Sequence, residues 1–232
     1  MADLLNSYGI IWDMDGVLID TADAHYIAWR QALSPYGVDF SRQYFDDTFG
    51  INNDSLLAEI FGEKLDRDTL HEISQRKEMI YRETIKNDFK IYAGVMEILQ
   101  ECQTAGLKQA IASSAPVENI EAVMQLSTLR QFFDQIISSA KMASKRNPEA
   151  YLAASTALAL SPAHCVVIED SLLGIEGAKK AGMKCIAIAS THSKEKLTNA
   201  DVVLAAVADL TILTILATLN IIESRVNNVK RI

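Results

Sequence analysis

An α/β fold, with a doubly wound parallel sheet and an all-helical insertion after its first strand, is what this sequence predicts. Three observations carry that expectation. A short apolar run at residues 9–12 ends directly in Asp13 and Asp15; residues 22–89 read as helices with no convincing strand; and from Gly94 onward short β-branched runs alternate with amphipathic helices. Such alternation implies right-handed crossovers and therefore parallel strands.

Taken in order, "GIIW" has the length and continuous apolarity of a strand buried on both faces. In "DSLLAEIFG", Leu56, Leu57, Ile60 and Phe61 share a helical face, Asn53 or Asp54 can cap the start, and Gly62 can end it. "VMEILQECQTAG" sets Val95, Ile98, Leu99, Cys102 and Ala105 on one face and closes at Gly106. Strands are then expected at "KQAIASS", "DQIIS", "CVVIED", "KCIAIAS" and "ADVVL", with helices at "PEAYLAASTALAL" and "LLGIEGAKKAG". The simplest partition is an α/β core made from residues 1–19 and 93–232 and a helical unit at 20–92, tethered by "LIDTAD" and "KIYAGV".

Composition narrows the function. A chain of 232 residues with 49% hydrophobic and 22% charged residues is that of an ordinary globular protein. Its net charge of -8 argues against nucleic acid or an anionic membrane surface, which need a broad basic footprint. Cys102, Cys165 and Cys185 form no C-x-x-C pair and sit in apolar stretches, as buried reduced thiols do, which suits a cytoplasmic location. No apolar stretch reaches the ~20 residues of a membrane span. The apolar "AAVADLTILTILATLN" is interrupted by Asp209, Thr211, Thr214 and Thr218 and reads as a packed terminal helix.

Ligands of open parallel sheets bind beyond the carboxyl ends of the strands. That rule selects Asp13 and Asp15 after the first strand, Ser113 and Ser114 after "QAIA", and Glu169 and Asp170 after "CVVI", with Lys145 of "SKRNPEAY" before another helix. Facing carboxylates repel unless a cation compensates, and hard oxygen ligands suit Mg2+ bridging to a phosphate oxygen. Backbone amides near Gly16, the Ser113 hydroxyl and the Ser114 amide could hold phosphoryl oxygens. Asp13 is then a candidate nucleophile forming an aspartyl-phosphate, and Asp15 the proton donor and acceptor.

At these residues the chain resembles the haloacid dehalogenase superfamily, in the branch with a small helical cap over a Rossmann-like core. "DMDGVLIDT", "IASS", Lys145 with "NPEAY", and "VVIEDSLLGIEGAKKAGM" are similar to its four motifs, in order and at strand ends. The resemblance implies that Asp13 is the nucleophile, Asp15 the general acid/base, Ser113 the phosphate-binding hydroxyl and Lys145 the charge-stabilising lysine. It also implies Mg2+ held by Asp13, the Asp15 carbonyl and Asp170, with Glu169 directly or one shell out. One departure is Arg146, where proline often follows the lysine; a cis bond there would cost about 3 kcal/mol, so a trans bond is expected.

Within the insertion, His25 lies one turn before Trp29, and Lys77 lies on the stripe of Leu70, Ile73 and Ile80, where snorkelling is one account of it. "TADAHYIAW" and "RKEMIY" resemble segments of β-phosphoglucomutases, which implies proton handling for His25 and sugar-phosphate contact for Lys77. Against that subgroup, "GINNDSLL" is one residue shorter and places Asn52 and Asn53 where an arginine would hold a distal phosphate. Glu72 and Glu78 are expected on solvated faces. The expected function is Mg2+-dependent hydrolysis of a small phosphorylated metabolite, a sugar phosphate monoester. Interconversion of β-glucose 1-phosphate and glucose 6-phosphate is the alternative, and a non-catalytic phosphometabolite sensor the reading from another class. The oligomeric state stays open, a monomer being compatible with all three.

Overall fold

The protein's structure, a computed structural model, describes residues 5–142 and 144–221. Strand β1 (Gly9–Trp12) is flanked on both sides by parallel partners, β4 (Lys108–Ser113) and β6 (Cys165–Glu169). Beyond them lie β5 (Gln135–Ser138) on one side and β7 (Lys184–Ile188) and β8 (Val202–Leu204) on the other, giving the order β5-β4-β1-β6-β7-β8. The chain thus winds outward from β1 in both directions, and the gap between the two windings opens above the carboxyl end of β1.

Side-chain alternation divides β1 between two cores. Ile10 and Trp12 pack with α5 (Val95–Ala105), α6 (Val117–Leu126) and α9 (Ile212–Thr218), whereas Ile11 packs with α7 (Glu149–Ala157) and α8 (Leu172–Lys180). The buried Trp12 indole donates to the Gln109 side chain at 3.1 Å, whose own amide donates to the Leu99 carbonyl at 3.0 Å, so both polar groups are satisfied within the core.

Between β1 and α5 the chain forms α1 (Ala22–Leu33), α2 (Arg42–Thr48), α3 (Asn53–Phe61) and α4 (Arg67–Ile85). Their apolar faces meet in a separate cluster that includes Trp29, Leu33, Phe45, Leu57 and Ile73. The cap of α3 is Asn52, whose side chain accepts from the Ser55 amide at 2.9 Å, rather than Asn53 or Asp54. The tethers pair as β2 (Ile19–Asp20) and β3 (Lys90–Ile91), antiparallel and two residues each, too short for any periodic signal. No helix among the described residues is long and apolar enough to cross a membrane.

Candidate active site

Three strand ends and one loop bring carboxylates and a lysine together. The Lys145 ammonium lies 2.5 Å from Asp13 Oδ1 and 2.7 Å from Glu169 Oε1, and all three side chains are buried. Glu169 is saturated: Oε1 also accepts from the Tyr151 hydroxyl at 2.9 Å, while Oε2 accepts from the Asp170 and Ser171 amides at 3.0 Å each and the Ser171 hydroxyl at 2.9 Å. Asp170 Oδ2 accepts from Thr191 at 2.7 Å. Burial works against the Lys145 ammonium, but Asp13 and Glu169 outweigh it and hold its pKa above the ordinary lysine value.

Negative charge is in excess here. Burial, with the charge of Glu169 added, pushes the Asp13 carboxyl well above its ordinary range and Asp170 up to about 7. Carboxylate oxygens of Asp13, Glu169 and Asp170 lie within 4.8 Å of one another, a hard-oxygen set that fits a divalent cation, and such a cation would relieve this repulsion. Because Glu169 is already engaged by Lys145, Tyr151 and Ser171, Asp13 and Asp170 have the freer oxygens.

Asp15, two residues on, has the opposite surroundings. Its Oδ1 accepts from the Thr21 hydroxyl, and lies 3.4 Å from His25 Nε2 and 3.4 Å from the Tyr81 hydroxyl. Burial alone would raise its pKa, yet the bonds from His25 and Thr21 and the charge of Lys77 hold it below the ordinary value. His25 stacks on Tyr81 with ring centres 4.1 Å apart, and burial together with Lys77 lowers its pKa. Thr21, Tyr81, Tyr151 and Thr191 escape a reading of the sequence, because nothing in their spacing says which acid each will meet.

Two glycines permit this closeness. Gly16 has φ +87°, and a Cβ on it would lie 2.0 Å from Asp170 Oδ2. Its own amide donates to the Ile19 carbonyl at 2.9 Å, and the glycine allows close packing against Asp170. Gly177 of α8 faces the loop of Lys145, where a Cβ would lie 1.9 Å from the Lys145 carbonyl oxygen.

Of the two serines, Ser114 lines the chamber above Asp13, whereas the Ser113 hydroxyl is buried and accepts from the Ala115 amide at 3.1 Å. No cis peptide occurs among the described residues, so the bond before Arg146 is trans as expected. Arg146 is exposed, and its Nε meets Glu176 at 3.1 Å.

Helices α1, α3 and α4 roof the chamber with His25, Trp29, Asn53, Lys77 and Glu78, leaving about 60 Å³ of free volume. Lys77 does not snorkel. It is 3% exposed, 2.9 Å from Glu78 Oε1 and above the rings of Trp29 and Tyr81 at 5.2 and 5.6 Å. Glu78 is likewise buried, contrary to the solvated position expected for it, and accepts from Asn53 at 2.6 Å and from Asn119 of α6 at 2.5 Å.

A parallel α/β sheet with carboxylates, a lysine and serines gathered at its switch point defines an enzyme site with an acidic set able to hold a divalent cation. The chain belongs to the haloacid dehalogenase-like hydrolase family, whose model matches residues 10–188. It is 29% identical over 206 residues to hexitol phosphatase B of Escherichia coli, covering 87% of this chain and 93% of that one. To the β-phosphoglucomutase of Bacillus subtilis it is 28% identical over 216 residues, covering 88% and 91%. Among solved structures, the β-phosphoglucomutase of Clostridium difficile superposes with a TM-score of 0.82 at 26% identity, covering 92% of this chain and 97% of that one. The sequence resemblance therefore holds, and the chain is an enzyme of the sugar phosphatase and phosphoglucomutase group.

Proposed function

We propose that this enzyme hydrolyses a small sugar phosphate monoester through an aspartyl-phosphate on Asp13, with Mg2+ as cofactor and residues 20–92 acting as a cap. The supporting observation is the divergence of two acids one residue apart: Asp13 among Lys145, Glu169 and Asp170, Asp15 among Thr21, His25 and Tyr81. Environments that split two carboxyl groups in this way assign them different roles.

In the first half, an Asp13 oxygen bonds to phosphorus as the ester P–O bond breaks, and Asp15 delivers its proton to the leaving alkoxide. In the second half, Asp15 takes a proton from water, whose oxygen bonds to phosphorus as the bond to Asp13 breaks and inorganic phosphate leaves. The observed bonds to Asp15 all reach Oδ1 and favour its base form. A phosphoryl dianion beside it acts oppositely and favours the acid needed first. Lys145 neutralises charge on Asp13 and the phosphoryl oxygens, Ser114 and Ser113 orient the group, and His25 holds Asp15. Mg2+ would be held by Asp13, Asp170 and the Asp15 carbonyl, and would supply charge neutralisation.

The kinship with β-phosphoglucomutases supports a second reading, in which a sugar hydroxyl replaces water as acceptor. Incubation with β-glucose 1-phosphate and trace glucose 1,6-bisphosphate, following both glucose 6-phosphate and free phosphate, separates the two. Phosphate release that needs Mg2+ and disappears in Asp13→Asn is the expected result; glucose 6-phosphate without phosphate release would sink the hydrolase reading.

A further inference from the structure

The roof of the chamber carries charges that the catalytic strand ends do not explain. Its only cations among the described lining residues are Lys145 and Lys77. Lys145 is committed to Asp13 and Glu169. Lys77 is committed to Glu78, both side chains being at most 7% exposed. The carboxylate of Glu78 is fixed in turn by Asn53 from α3 and Asn119 from the core helix α6, and Asn119 is itself oriented by Arg82 at 2.8 Å. A buried acid with that many donors is ionised; burial would raise its pKa, but Lys77 and the Asn53 amide lower it. The cap half of the chamber thus pairs one positive with one negative charge and adds neutral amides and the Trp29 ring.

We propose that Glu78 is a specificity-determining residue, which cancels the charge of Lys77 so that the chamber takes monophosphates of uncharged, hydroxylated alcohols and discriminates against a second phosphoryl group. A distal phosphate in the chamber would meet only cations already paired, Lys77 with Glu78 and Lys145 with Asp13 and Glu169, and would lie beside the Glu78 carboxylate, where like charges repel. Hydroxyl groups suit the same wall, because the side-chain amides of Asn52 and Asn53 and the apolar surface of Trp29 line it without net charge, although the Asn53 NH2 already donates to Ser74 and Glu78. The inference rests on the phosphatase reading above and refines it.

The test measures binding on Asp13→Asn, loaded with Mg2+ so that no substrate turns over, using glucose 6-phosphate with glucose 1,6-bisphosphate and fructose 6-phosphate with fructose 1,6-bisphosphate. Each monophosphate is expected to bind at least about tenfold more tightly than its bisphosphate, and adding Glu78→Gln is expected to shrink that ratio about tenfold or reverse it. Glu78→Gln leaves an amide opposite Asn119, so folding is checked by circular dichroism; Lys77→Met serves as the second variant and is expected to widen the ratio by exposing the uncancelled Glu78. Bisphosphates bound as tightly as monophosphates by Asp13→Asn would overturn the charge-balance proposal and leave the phosphatase reading standing. Binding of neither class would overturn that reading, and this one with it.

Discussion

At the scale of single residues, the contrast between Asp13 and Asp15 lies in their partners and not in their chemistry, since both are aspartates one residue apart, the first buried and the second half-buried. Asp13 has an ammonium at 2.5 Å and two competing carboxylates, whereas Asp15 has uncharged donors from Thr21 and Tyr81 beside His25. Asp13→Asn is expected to lower kcat on the order of 10⁴-fold and to abolish the acid-stable phosphoryl label trapped on the protein by rapid quenching, while substrate binding survives. Asp15→Asn keeps a hydrogen-bond acceptor for Thr21 and loses the transferable proton, so the expected loss is on the order of 10²–10⁴-fold with the label still detectable. A label absent from Asp15→Asn and present in Asp13→Asn would exchange the two roles.

Among the elements, helix α8 decides how the loop of Lys145 meets β6. With 1.9 Å between a Cβ at Gly177 and the Lys145 carbonyl oxygen, Gly177→Ala must push helix and loop apart. Overpacking of this kind costs about 1–3 kcal/mol, expected as a lowered Tm, and kcat/KM should fall with it as Lys145 moves off Asp13. Elsewhere Asp201, before β8, accepts from the Cys185 amide at 2.8 Å and from Lys179 at 2.6 Å and Lys184 at 3.2 Å. Burial would raise Asp201, but these partners outweigh it and hold its carboxyl below the usual range. A depressed folded pKa stabilises above the unfolded value of about 3.9 and is lost as pH falls through the folded one. Asp201→Ala should therefore cost about 1–2 kcal/mol at neutral pH, and in urea titrations the gap to wild type should close below about pH 4. The β1, β4 and β6 strand ends were legible from sequence because apolar runs of strand length stop there at polar residues, and a sheet switch point gathers such ends. Gly177 and Tyr151 were not, since a helix glycine and a buried tyrosine carry no signal until the facing loop is in place. The burial of Glu78 leaves no mark in the sequence, because its partners Asn53 and Asn119 lie 25 and 41 residues away.

For the molecule as a whole, the chamber above Asp13 adjoins a larger cleft of about 720 Å³, with which it shares Asn52, Asn53, Glu78, Ser114 and Pro116. Because α1, α3 and α4 roof the chamber, access of a hexose phosphate to Asp13 is expected to depend on how far α1–α4 stand off the sheet. The polar contacts across this seam are Glu78 and Arg82 with Asn119, and Thr21, His25 and Tyr81 with Asp15, beside apolar packing of Ala24, Ala28 and Ile85 on the core. The Asp15 contacts are needed for chemistry, which leaves Asn119 as the part of the seam that serves closure. Its amide is fully buried and joins a cap carboxylate to a cap guanidinium through a core helix. Removing it in Asn119→Ala strips one donor from a buried, ionised Glu78, a loss of about 1–3 kcal/mol borne mainly by the closed state, because opening returns that carboxylate to water. The expected outcome is a larger radius of gyration by small-angle X-ray scattering and a KM raised about tenfold, with a near-normal Tm because no apolar side chain of the three clusters is removed. Unchanged scattering with a Tm lowered by many degrees would instead make Asn119 a core residue with no part in closure, and would place the hinge energetics wholly in the contacts to Asp15.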